Sequence, residues 1–509
     1  MFNSKKCDLV LISPEARKHH HYLPFALLFL ASYLESCGIK VEIIDYKESD
    51  FQFFKKSQHK ESPYTSFVLN EIRRLQPKFV GYAAYTAEYE DVTRLATEIK
   101  RSFEIINIIG GVHVTLRPKE FIYEGSVFDF AVLGDGENPL LNIINYVNTS
   151  NKDYLANPGI AYIDNKTREF VSTMSNIENN LADFPMPAYD KIDMNFYTYP
   201  STDHIRWVPL SGVQIFTGRG CPYNCDFCAV GYLSTLNPLA KKMRYRSISQ
   251  IIDELEYLKK NFKIDGFYVI DDCFMILEDR TIDFCNQLIE RNLNLIWAAE
   301  TRVNLVVKHQ KILPLMKKAG LIQLDFGVES GSENMLRAIN KNVKITQIEE
   351  AFQICKKHHI RTYANILFNI PGETEEDVKL TFKLLSNISP DVVGCGVTVP
   401  LLGTALYDKY VEPKLKPEEY NIYNENVYEE IVDSRFKMAK HSLNFKPMVQ
   451  KLNEDYSTFK STSFILLFTI FFRANKKIKY VEAYFIIFLK YLRPFVSKFI
   501  KKLLLRRKR

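Results

Sequence analysis

Three cysteines near the middle of the chain have the spacing of a metal-binding loop. Cys221, Cys225 and Cys228 form a C-x3-C-x2-C array within the string CPYNCDFC, which follows the string TGRG directly. Iron–sulfur cubanes are normally held by four thiolates, so a loop that supplies three leaves one iron without a protein ligand. Such an iron is open to a small molecule. The array therefore predicts a reaction site.

A structural zinc site or a disulfide is the competing interpretation of clustered cysteines. Structural zinc takes a closed shell of four ligands, usually from two C-x2-C pairs separated by a longer loop. No second pair is present in this sequence. The remaining cysteines stand singly in apolar segments, as buried small hydrophobic residues do, at Cys7, Cys37, Cys273, Cys285, Cys355 and Cys395. The pattern favours the open cluster.

The segment around the cysteine loop alternates strands and helices. The pattern predicts strands at residues 213–217, 266–271, 293–299, 322–328, 361–369 and 391–399. It predicts helices near residues 247–262, 277–291, 305–319, 345–358 and 374–387. Six β/α units indicate a partial (β/α)6 barrel of the TIM type, whose catalytic groups lie at the carboxyl ends of the strands. The cysteine loop follows the first of these strands.

The first third of the chain shows a similar alternation. It predicts strands at residues 8–12, 41–45, 79–84, 106–111 and 128–134, and helices near residues 25–37, 87–103 and 137–147. The pattern indicates an α/β fold with a doubly wound, Rossmann-like sheet, whose ligand lies beyond the carboxyl ends of the strands. Glycines that permit tight turns and close ligand approach follow these strands at Gly81, Gly110, Gly111, Gly134 and Gly136.

Both parts of the sequence resemble known cofactor-binding domains. The cysteine triad, with the aromatic Phe227 before its third cysteine, resembles the radical S-adenosylmethionine (SAM) superfamily over residues 206–405. Four strings resemble the cobalamin-binding domain found ahead of radical SAM cores: LPFALLFLASYLESCGIKVEIIDY, GYAAYTAEYEDVTRLATEIK, IIGGVHVTLRP and VLGDGENPLL. The resemblance implies a cobalamin-dependent radical SAM enzyme. Its cofactors would be a [4Fe-4S] cluster on the cysteines, SAM on the open iron, and cobalamin.

The resemblance also implies a set of SAM contacts at the ends of the barrel strands. The expected residues are Phe227, Asp271, Asp272, Glu329, Ser330, Ile370, Gly372 and Glu375. Asp271 or Asp272 would accept the SAM ammonium group. The string from Ile370 to Glu375 matches the family's I-x-G-x-x-E adenine turn only in part, because Phe368 replaces its usual leading glycine. The alternative for Glu375 is a structural role, as an acidic residue that complements the dipole at a helix N-terminus.

Cobalamin contacts are implied in the same way for three loops of the first third. The expected residues are Tyr85, Thr86, Gly110, Gly111, His113, Thr115, Gly134, Gly136 and Glu137. The D-x-H-x-x-G string through which some cobalamin proteins supply a histidine to cobalt is absent. We therefore interpret His113 as a loop or nucleotide contact in preference to a cobalt ligand. The lower face of cobalt is expected to bind no protein side chain.

Length and composition indicate a globular protein of several domains. The chain has 509 residues, of which 46% are hydrophobic and 25% charged. We expect a cobalamin-binding domain at residues 1–150, a linker with a hairpin at 151–205, a radical SAM core at 206–405 and a mostly helical region at 406–509. No secretory signal is visible at the start of the sequence. An oxygen-sensitive cluster and unpaired cysteines favour a reducing cytoplasm.

The end of the chain differs from the rest in charge. Residues 473–509 contain thirteen Lys and Arg and one acid, a net +12, so that the net +7 of the whole chain leaves −5 for the remainder. The apolar runs at 464–472 and 480–492 are shorter than the roughly 20 residues that a spanning helix needs. Peripheral contact with the inner face of an anionic membrane is the favoured interpretation. Packing on the barrel is the alternative, and nucleic acid is not expected as a partner.

The resemblance implies a reaction as well as cofactors. An external electron donor of the flavodoxin or ferredoxin type would reduce the cluster, and SAM would be cleaved to a 5′-deoxyadenosyl radical that abstracts hydrogen from an unactivated carbon. Methylation from cobalamin is the commonest outcome in the family and is our prediction. The apolar tail favours a hydrophobic small molecule, lipid-like or tetrapyrrole, as substrate. Oxidative cyclisation or rearrangement is the alternative, and a corrinoid-binding regulator without catalysis is a further one.

Overall fold

The N-terminal sheet has five parallel strands followed by an antiparallel hairpin. The computed structural model describes residues 7–17, 21–47, 63–182, 184–411, 414–420, 422–425, 436–456, 470–472, 474 and 476–481. The strands of this sheet are β1 (Leu9–Ile12), β2 (Val41–Ile44), β3 (Phe79–Ala83), β4 (Ile106–Gly110), β5 (Phe130–Val132), β6 (Ile160–Ile163) and β7 (Phe170–Ser172). They lie in the order β2-β1-β3-β4-β5-β6-β7. The predicted hairpin thus forms, and it extends the edge of this sheet.

Helices cover both faces of this sheet. They are α1 (Phe25–Ser36), α2 (Pro63–Leu75), α3 (Tyr89–Ser102), α4 (Val112–Leu116) and α5 (Glu137–Thr149). Alternate residues of β1 show the arrangement: Leu9 and Leu11 pack with the apolar residues of α1 and α5, whereas Val10 and Ile12 pack with those of α2 and α3. Because a strand points successive side chains to opposite faces, a strand covered on both sides is apolar throughout. The doubly wound prediction is confirmed.

A short connection leads into the second sheet. It contains α6 (Met194–Tyr197) and the antiparallel pair β8 (Ser201–Ile205) and β9 (Val208–Leu210). The strands that follow are β10 (Gly212–Ile215), β11 (Gly218–Arg219), β12 (Arg244–Tyr245), β13 (Gly266–Val269), β14 (Ile296–Thr301), β15 (Leu321–Glu329), β16 (Arg361–Phe368) and β17 (Val392–Val397). Apart from the separate β11–β12 pair, they form one parallel sheet in the order β10-β13-β14-β15-β16-β17.

This second sheet is the predicted partial barrel, with helices on its outer side. The helices are α7 (Ala229–Leu233), α8 (Ile248–Phe262), α9 (Glu278–Glu290), α10 (Val303–Lys308), α11 (Leu313–Lys318), α12 (Glu333–Ala338), α13 (Ile345–Lys357) and α14 (Glu375–Ile388). The helix predicted at 305–319 is divided in two, because Pro314 lacks a backbone N–H and stands in the first turn of α11. Trp297, Phe267 and Phe284 pack together between the sheet and these helices.

The amino end of the barrel is closed from below. The β8–β9 hairpin packs there with Ile470, Ala474 and Tyr480 from the end of the described chain. The Tyr480 hydroxyl donates to Asp265 Oδ2 (2.9 Å) and accepts from the Ser211 N–H (2.8 Å). Both of these residues directly precede a barrel strand. The barrel interior is therefore filled at its amino end.

The described part of the C-terminal region contains three further helices, α15 (Ala405–Tyr410), α16 (Ile422–Glu425) and α17 (Phe445–Tyr456). α17 packs against β17. Most of the two apolar runs at 464–472 and 480–492 lies outside the described residues, as does the basic end of the chain. Among the residues that the structure describes, no helix is long and apolar enough to cross a bilayer.

Candidate functional site

The cysteine loop leaves the carboxyl end of β10 and is held in place by backbone contacts. At its start, Gly220 has a φ of 95°, and a Cβ atom there would overlap the backbone oxygen of Lys242. Only glycine adopts this left-handed conformation at little cost. Further along, the N–H of Asp226 donates to the backbone oxygen of Ile339 (3.1 Å), the residue that ends α12. The loop thus lies close against Lys242 at its start and is attached to the carboxyl end of α12 further along.

The thiols of Cys221, Cys225 and Cys228 are free and half-buried in this loop. Within the described ranges, no three His, Cys, Asp or Glu side chains converge on the position of a single ion. A cubane does not require such convergence, because its cysteine ligands bind separate irons. The donor set of three thiols on one loop therefore fits an iron–sulfur cluster, as the spacing predicts.

Two neighbouring groups act on these thiols. Arg302 Nη1 donates to Cys225 Sγ (3.5 Å), and the Arg302 guanidinium carbon lies 3.9 Å from the ring centroid of Tyr223. The neighbouring Cys273 thiol lowers the pKa of Cys221 to about 7. Cations and hydrogen bonds next to a thiol favour the thiolate, which is the form that binds metal. Hydrogen bonds to the sulfurs also help to set the reduction potential of a bound cluster.

The two adjacent carboxylates after β13 have different partners. Asp271 is buried and accepts from the backbone N–H groups of Thr217 (2.6 Å) and Gly218 (3.2 Å). Burial raises the pKa of Asp271 to about 6, although these hydrogen bonds oppose the rise. Asp272 is exposed and accepts from the Gly220 N–H (3.1 Å). Asp271 fastens the cysteine loop, and Asp272 is the carboxylate that remains accessible to a ligand.

At the end of β15, Glu329 and Ser330 also have different roles. Glu329 forms a buried ion pair with Lys341, with 2.7 Å between Oε1 and Nζ. The Ser330 hydroxyl is fully buried, lies 3.2 Å from the Thr381 hydroxyl and accepts from the Ser332 N–H (3.1 Å). Ser330 thus organises the loop after β15. Glu329 and its lysine supply the charged groups at this strand end.

Glu300 on β14 stands beside these charges at the barrel mouth. It lies opposite Asp325 in the β14–β15 register. Its side chain is accessible from the mouth, yet protein surrounds most of it, and this loss of hydration raises the pKa of Glu300 to about 7. The charges of Asp325 and Glu329 add to the rise. Burial likewise raises the pKa of Asp325 to about 6. Burial thus raises the pKa of Glu300 at the barrel mouth and of Asp325 deeper inside the barrel.

The predicted adenine turn lies after β16. Ile370 is buried in a small apolar cluster with Met335, and Phe227 from the cysteine loop packs against the same cluster. The structure thus brings together an aromatic residue and an aliphatic residue that are far apart in the sequence. Gly372 follows with a φ of 79°. Glu375 is exposed at the first position of α14, where an acidic side chain also complements the helix dipole.

A segment from the C-terminal region lies along this turn, and we call residues 436–443 the C-terminal strap. The side-chain amide of Asn369 donates to the backbone oxygens of Thr398 (2.9 Å) and Phe436 (2.7 Å). Its Oδ1 accepts from the N–H groups of Met438 (2.9 Å) and Ala439 (3.1 Å). All four hydrogen-bonding positions of the buried asparagine are therefore used. The sequence analysis did not identify Asn369.

A buried acid–histidine pair completes the attachment of the C-terminal strap. Glu373 Oε2 accepts from the Asn369 N–H (2.9 Å) and lies 3.1 Å from His441 Nε2. His441 Nδ1 accepts from the Leu443 N–H (3.2 Å), so the ring proton is on Nε2 and is donated to Glu373. Burial raises the pKa of Glu373 to about 8 and lowers the pKa of His441. Sequence reasoning missed both residues, since 68 positions separate them.

An open cleft lies between the carboxyl end of the N-terminal sheet and the cysteine loop. It contains about 1110 Å³ of empty space, part of which is open to solvent. Its walls from the N-terminal sheet include Tyr85, Gly111, Thr115, Gly134 and Asp135. Its walls from the barrel side include Gly220, Val230, Leu233 and Asp272. This is the position in which doubly wound sheets bind their ligands.

Two glycines shape the sheet side of the cleft. Gly111 has a φ of 112°, and a Cβ atom there would lie 2.7 Å from the backbone oxygen of Ala84. Gly134 has a φ of 86°, and a Cβ atom there would overlap the backbone oxygen of Asn176. The Thr115 hydroxyl links the two turns, because it donates to the Gly111 oxygen (2.9 Å) and accepts from the Gly134 N–H (2.9 Å). This wall, built from backbone, fits a large flat ligand such as a corrinoid.

His113 does not line this cleft. It lies on α4, in the string that the sequence suggests is a turn, and its ring is buried 4.8 Å from that of Tyr420 and 5.1 Å from that of Phe121. Its Nε2 lies 3.0 Å from Glu120 Oε2, which also accepts from the Tyr420 hydroxyl (3.1 Å). The described residues that line the cleft include no histidine. A cobalt without a protein ligand stays a prediction.

Four further predicted cobalamin residues are not among the lining residues, and several lining residues were not predicted. The four residues are Thr86, Gly110, Gly136 and Glu137. Glu137 is buried and accepts from Arg219 Nη2 (2.7 Å). Five of the unpredicted lining residues are cationic: Arg17, Arg219, Lys241, Lys242 and Arg244. Arg219 lies in the string that precedes the cysteines, but its charge alone gives no signal of its partner.

Two family models match the chain. The model of the Radical SAM superfamily matches residues 215–385, and the model of the B12 binding domain matches residues 17–144. The first range contains the cysteine loop and most barrel strands. The second contains the turns that form the sheet side of the cleft.

Similar proteins are known by sequence and by structure. The uncharacterized methyltransferase PH0819 of Pyrococcus horikoshii is 28% identical over 76% of this chain and 78% of its own length. The anaerobic magnesium-protoporphyrin IX monomethyl ester cyclase of Rubrivivax gelatinosus is 26% identical over 79% of this chain and 68% of its own. The methyltransferase TsrM of Kitasatospora setae, solved with cobalamin and a [4Fe-4S] cluster bound, superposes with a TM-score of 0.63 at 18% identity, over 80% of this chain and 78% of TsrM. The likeness to TsrM shows a shared fold.

Proposed function

This chain belongs to the cobalamin-dependent radical SAM enzymes, and we propose that it methylates an unactivated carbon of a hydrophobic substrate. Its cofactors are a [4Fe-4S] cluster, SAM and cobalamin. The observation that carries the proposal is the cleft, which the turns at Gly111 and Gly134 share with Gly220 and Asp272 next to the cysteines. A shared space suits a reaction that uses both cofactors.

The residues of this chain would hold, orient and shield the reactants. When bound, the cluster and SAM supply a 5′-deoxyadenosyl radical, and cobalamin supplies a methyl group. Cys221, Cys225 and Cys228 would hold the cluster, and Asp272, which lines the cleft, would accept the SAM ammonium group. Phe227, with the apolar cluster behind it, offers a surface on which the adenine can pack away from water. Holding reactants in place is the main contribution of the protein to such chemistry.

The proposed substrate binds at the barrel mouth and contacts apolar residues next to it. Tyr232 and Leu239 lie on and after α7 and remain 43% and 75% exposed. Exposed large apolar side chains beside a ligand cleft are typical of a surface that meets a hydrophobic partner. Glu300 would face the reacting part of the substrate. Exposed Lys241 and Lys242 suit an acidic electron donor of the flavodoxin or ferredoxin type.

Oxidative cyclisation is the second candidate. The cyclase of Rubrivivax gelatinosus, which by its name acts on a protoporphyrin ester, is nearly as similar to this chain as the methyltransferase of Pyrococcus horikoshii. Both candidates need the same radical at the same place. They differ in what happens to the substrate radical after it forms.

Reconstituted protein tests the class, and a product analysis tests the reaction. Under strong reductant, the reconstituted protein is expected to form 5′-deoxyadenosine from SAM. Absence of this product with cluster and cobalamin confirmed would favour a corrinoid-binding regulator. Mass spectrometry of lipids and pigments from cells with and without the gene should then show a compound lighter by 14 daltons in the deletion strain. If the deletion strain instead accumulated a compound with two hydrogens more than the product of the wild-type strain, oxidative cyclisation would be favoured.

Membrane contact of the C-terminal region is a further part of the proposal. Phe472, Ile478 and Val481 are 65%, 79% and 56% exposed, and the exposed Lys477 lies among them. Apolar and basic side chains together suit the inner, anionic face of a membrane. Full-length protein should co-sediment with vesicles of anionic lipid, and a variant ending near Lys460 should not. Equal binding of both proteins would refute this part.

A further inference from the structure

Two arginines of the β11–β12 pair reach from the cysteine loop to the N-terminal sheet. Arg219 and Arg244 are partners in the antiparallel register of these two short strands. Directly opposite partners in such a pair place their side chains next to each other. Across the cleft from them lies the turn that carries Asp135 and Glu137 on either side of Gly136. The strand pair therefore presents two cations to two acids of the other domain.

The contacts between these groups are direct. Arg219 Nη1 donates to Asp135 Oδ1 (3.0 Å), and its Nη2 donates to Glu137 Oε1 (2.7 Å). Arg244 Nη1 donates to Asp135 Oδ2 and to the backbone oxygen of Glu178 (3.0 Å). One guanidinium thus binds two carboxylates, and one carboxylate binds two guanidinium groups. We call these four side chains the interdomain clamp.

The interdomain clamp is more deeply placed than an ordinary surface ion pair. Its arginine side chains are 23% and 11% exposed, and its acids 15% and 3%. The Arg219 guanidinium also lies 5.5 Å from the ring centroid of Phe29. Partly buried, multiply hydrogen-bonded charges are held in one geometry far better than exposed pairs, which contribute little. Moving the two domains apart would expose these charges without their partners.

The clamp residues lie close in sequence to the residues that would hold the two cofactors. Arg219 lies two residues before Cys221, the first predicted cluster ligand. Asp135 follows Gly134, which lines the sheet side of the cleft. A contact between Arg219 and Asp135 therefore joins the loop that holds one cofactor to the turn that contacts the other.

We propose that Arg219, Arg244, Asp135 and Glu137 are positioning residues that fix the distance between the cluster-bound SAM and cobalamin. The inference rests on the proposed use of both cofactors in one cleft. Without the clamp, each cofactor would still bind and SAM would still be cleaved, but transfer of the methyl group from the SAM sulfur to reduced cobalt, which releases S-adenosylhomocysteine, would become inefficient. A displacement of about 1 Å is enough to lower the rate of a positioned reaction by about 100-fold.

The experiment compares Arg219→Gln, Glu137→Gln and the double variant with the full wild-type chain. Three quantities are measured without substrate: cobalamin affinity, 5′-deoxyadenosine formation, and the rate at which SAM methylates reduced cobalamin on the enzyme. Hydrogen exchange of the backbone amides at 134–137 and 217–221 in the cofactor-free protein reports the clamp itself. Arg291→Gln is the matched control, because Arg291 also pairs with two acids, Asp253 and Glu256, within one domain.

We expect each single variant to lower cobalamin methylation at least tenfold while deoxyadenosine formation stays within about twofold. Because both residues act through one contact, the double variant should be no worse than either single one. Exchange should rise at both amide segments. Arg219→Lys should recover part of the rate, since lysine keeps the charge but not the forked geometry. The control should resemble wild type in every measurement.

Two outcomes would overturn the inference. One is a fall in both rates by the same factor, which would indicate a general loss of structure. The other is multiplicative effects of the two single substitutions, which would show that they act independently. A wild-type protein that forms neither product would contradict the proposed function, and the exchange data would still decide whether the four residues hold the domains together.

Discussion

The two sides of the cleft are built from different parts of the polypeptide. On the sheet side, the contacts to a ligand come from turns such as Gly111 and Gly134, whose backbone conformation needs glycine. On the barrel side, the wall of the cleft includes the Asp272 carboxylate, and the barrel next to it carries further side chains that can bind a ligand: three thiols, an ion pair between Glu329 and Lys341, and a set of buried carboxyl groups. The first kind of surface depends on the absence of Cβ atoms. The second depends on charge and protonation.

This difference indicates how each side should respond to change. A backbone surface contacts a broad flat ligand over a large area and carries few titratable groups of its own. A side-chain surface can bind a cluster and polarise a substrate, but only in the correct ionisation state. We therefore expect substitutions and changes of pH to affect one side of the cleft and leave the ligand binding of the other side unchanged.

Removal of one cluster thiol should abolish the function of the barrel side and leave that of the sheet side unchanged. Cys225→Ala is expected to abolish cluster absorbance and SAM cleavage, since two thiolates do not hold a cubane with an open iron. Cobalamin affinity should remain that of wild type, because its contacts lie on the other side of the cleft. Cys37→Ala, which changes an exposed cysteine outside both sites, serves as control. Retained SAM cleavage in Cys225→Ala would refute the site assignment.

Breaking the buried ion pair tests the charge dependence of the barrel side. Glu329→Gln leaves Lys341 buried without a counter-charge, and we expect a loss of about 3 kcal/mol in the free energy of unfolding. SAM affinity should fall as well, while cobalamin affinity stays constant. Urea denaturation and equilibrium binding measure the two effects. Glu376→Gln breaks the exposed pair with Lys379 and should cost less than about 0.5 kcal/mol. Equal costs would contradict the role of burial.

A single Cβ atom tests the backbone dependence of the sheet side. Gly134→Ala introduces strain at a φ of 86° and an overlap with the Asn176 oxygen, so we expect a cost of about 2 kcal/mol and a cobalamin affinity at least tenfold lower. SAM cleavage should persist. The control is Gly125→Ala, where φ is 87° but a Cβ atom meets nothing within 4 Å. If both variants bound cobalamin equally well, the overlap of a Cβ atom at Gly134 would not determine cobalamin affinity, contrary to the prediction.

The pH dependence of stability should come from the barrel side. Glu373 has a pKa raised by burial from 4.5 to about 8, so the folded chain holds a proton there that the unfolded chain releases. The stability contributed by this group is complete below about pH 4.5 and is lost progressively as the pH rises toward about 8. Glu373→Gln should remove this slope. A thermal unfolding series from pH 5 to 8.5 compares the two proteins, and parallel curves would disprove the assignment.

Sequence patterns were sufficient for both sheets and for the cluster loop, because these features are local. The strands around Val10, Phe267 and Ala364 all lie within predicted segments, since a short apolar run is set over a few positions. The three cysteines are likewise contained in one octapeptide. Even the short spacing between glycines and strand ends could be read directly.

The parts that sequence could not supply depend on distant contacts. His113 is turned away from the cleft because Tyr420 and Phe121 enclose its ring, and Tyr420 lies about 300 positions further along the chain. Asn369 and His441 meet only because the C-terminal strap returns to the barrel. The difference in burial between Asp271 and Asp272 also depends on packing, because two adjacent residues of one type give no signal of which one is buried.

The closed lower end of the barrel has a consequence for the order of events in a catalytic cycle. The β8–β9 hairpin and Tyr480 fill that end, which leaves the mouth at the carboxyl ends of the strands as the route along the barrel axis. We expect substrate, spent nucleoside and fresh SAM to share this mouth. A bulky substrate that arrived first would block the nucleotide behind it. The kinetics should therefore be compulsory-ordered, with SAM as the leading reactant and the modified product as the first molecule to depart.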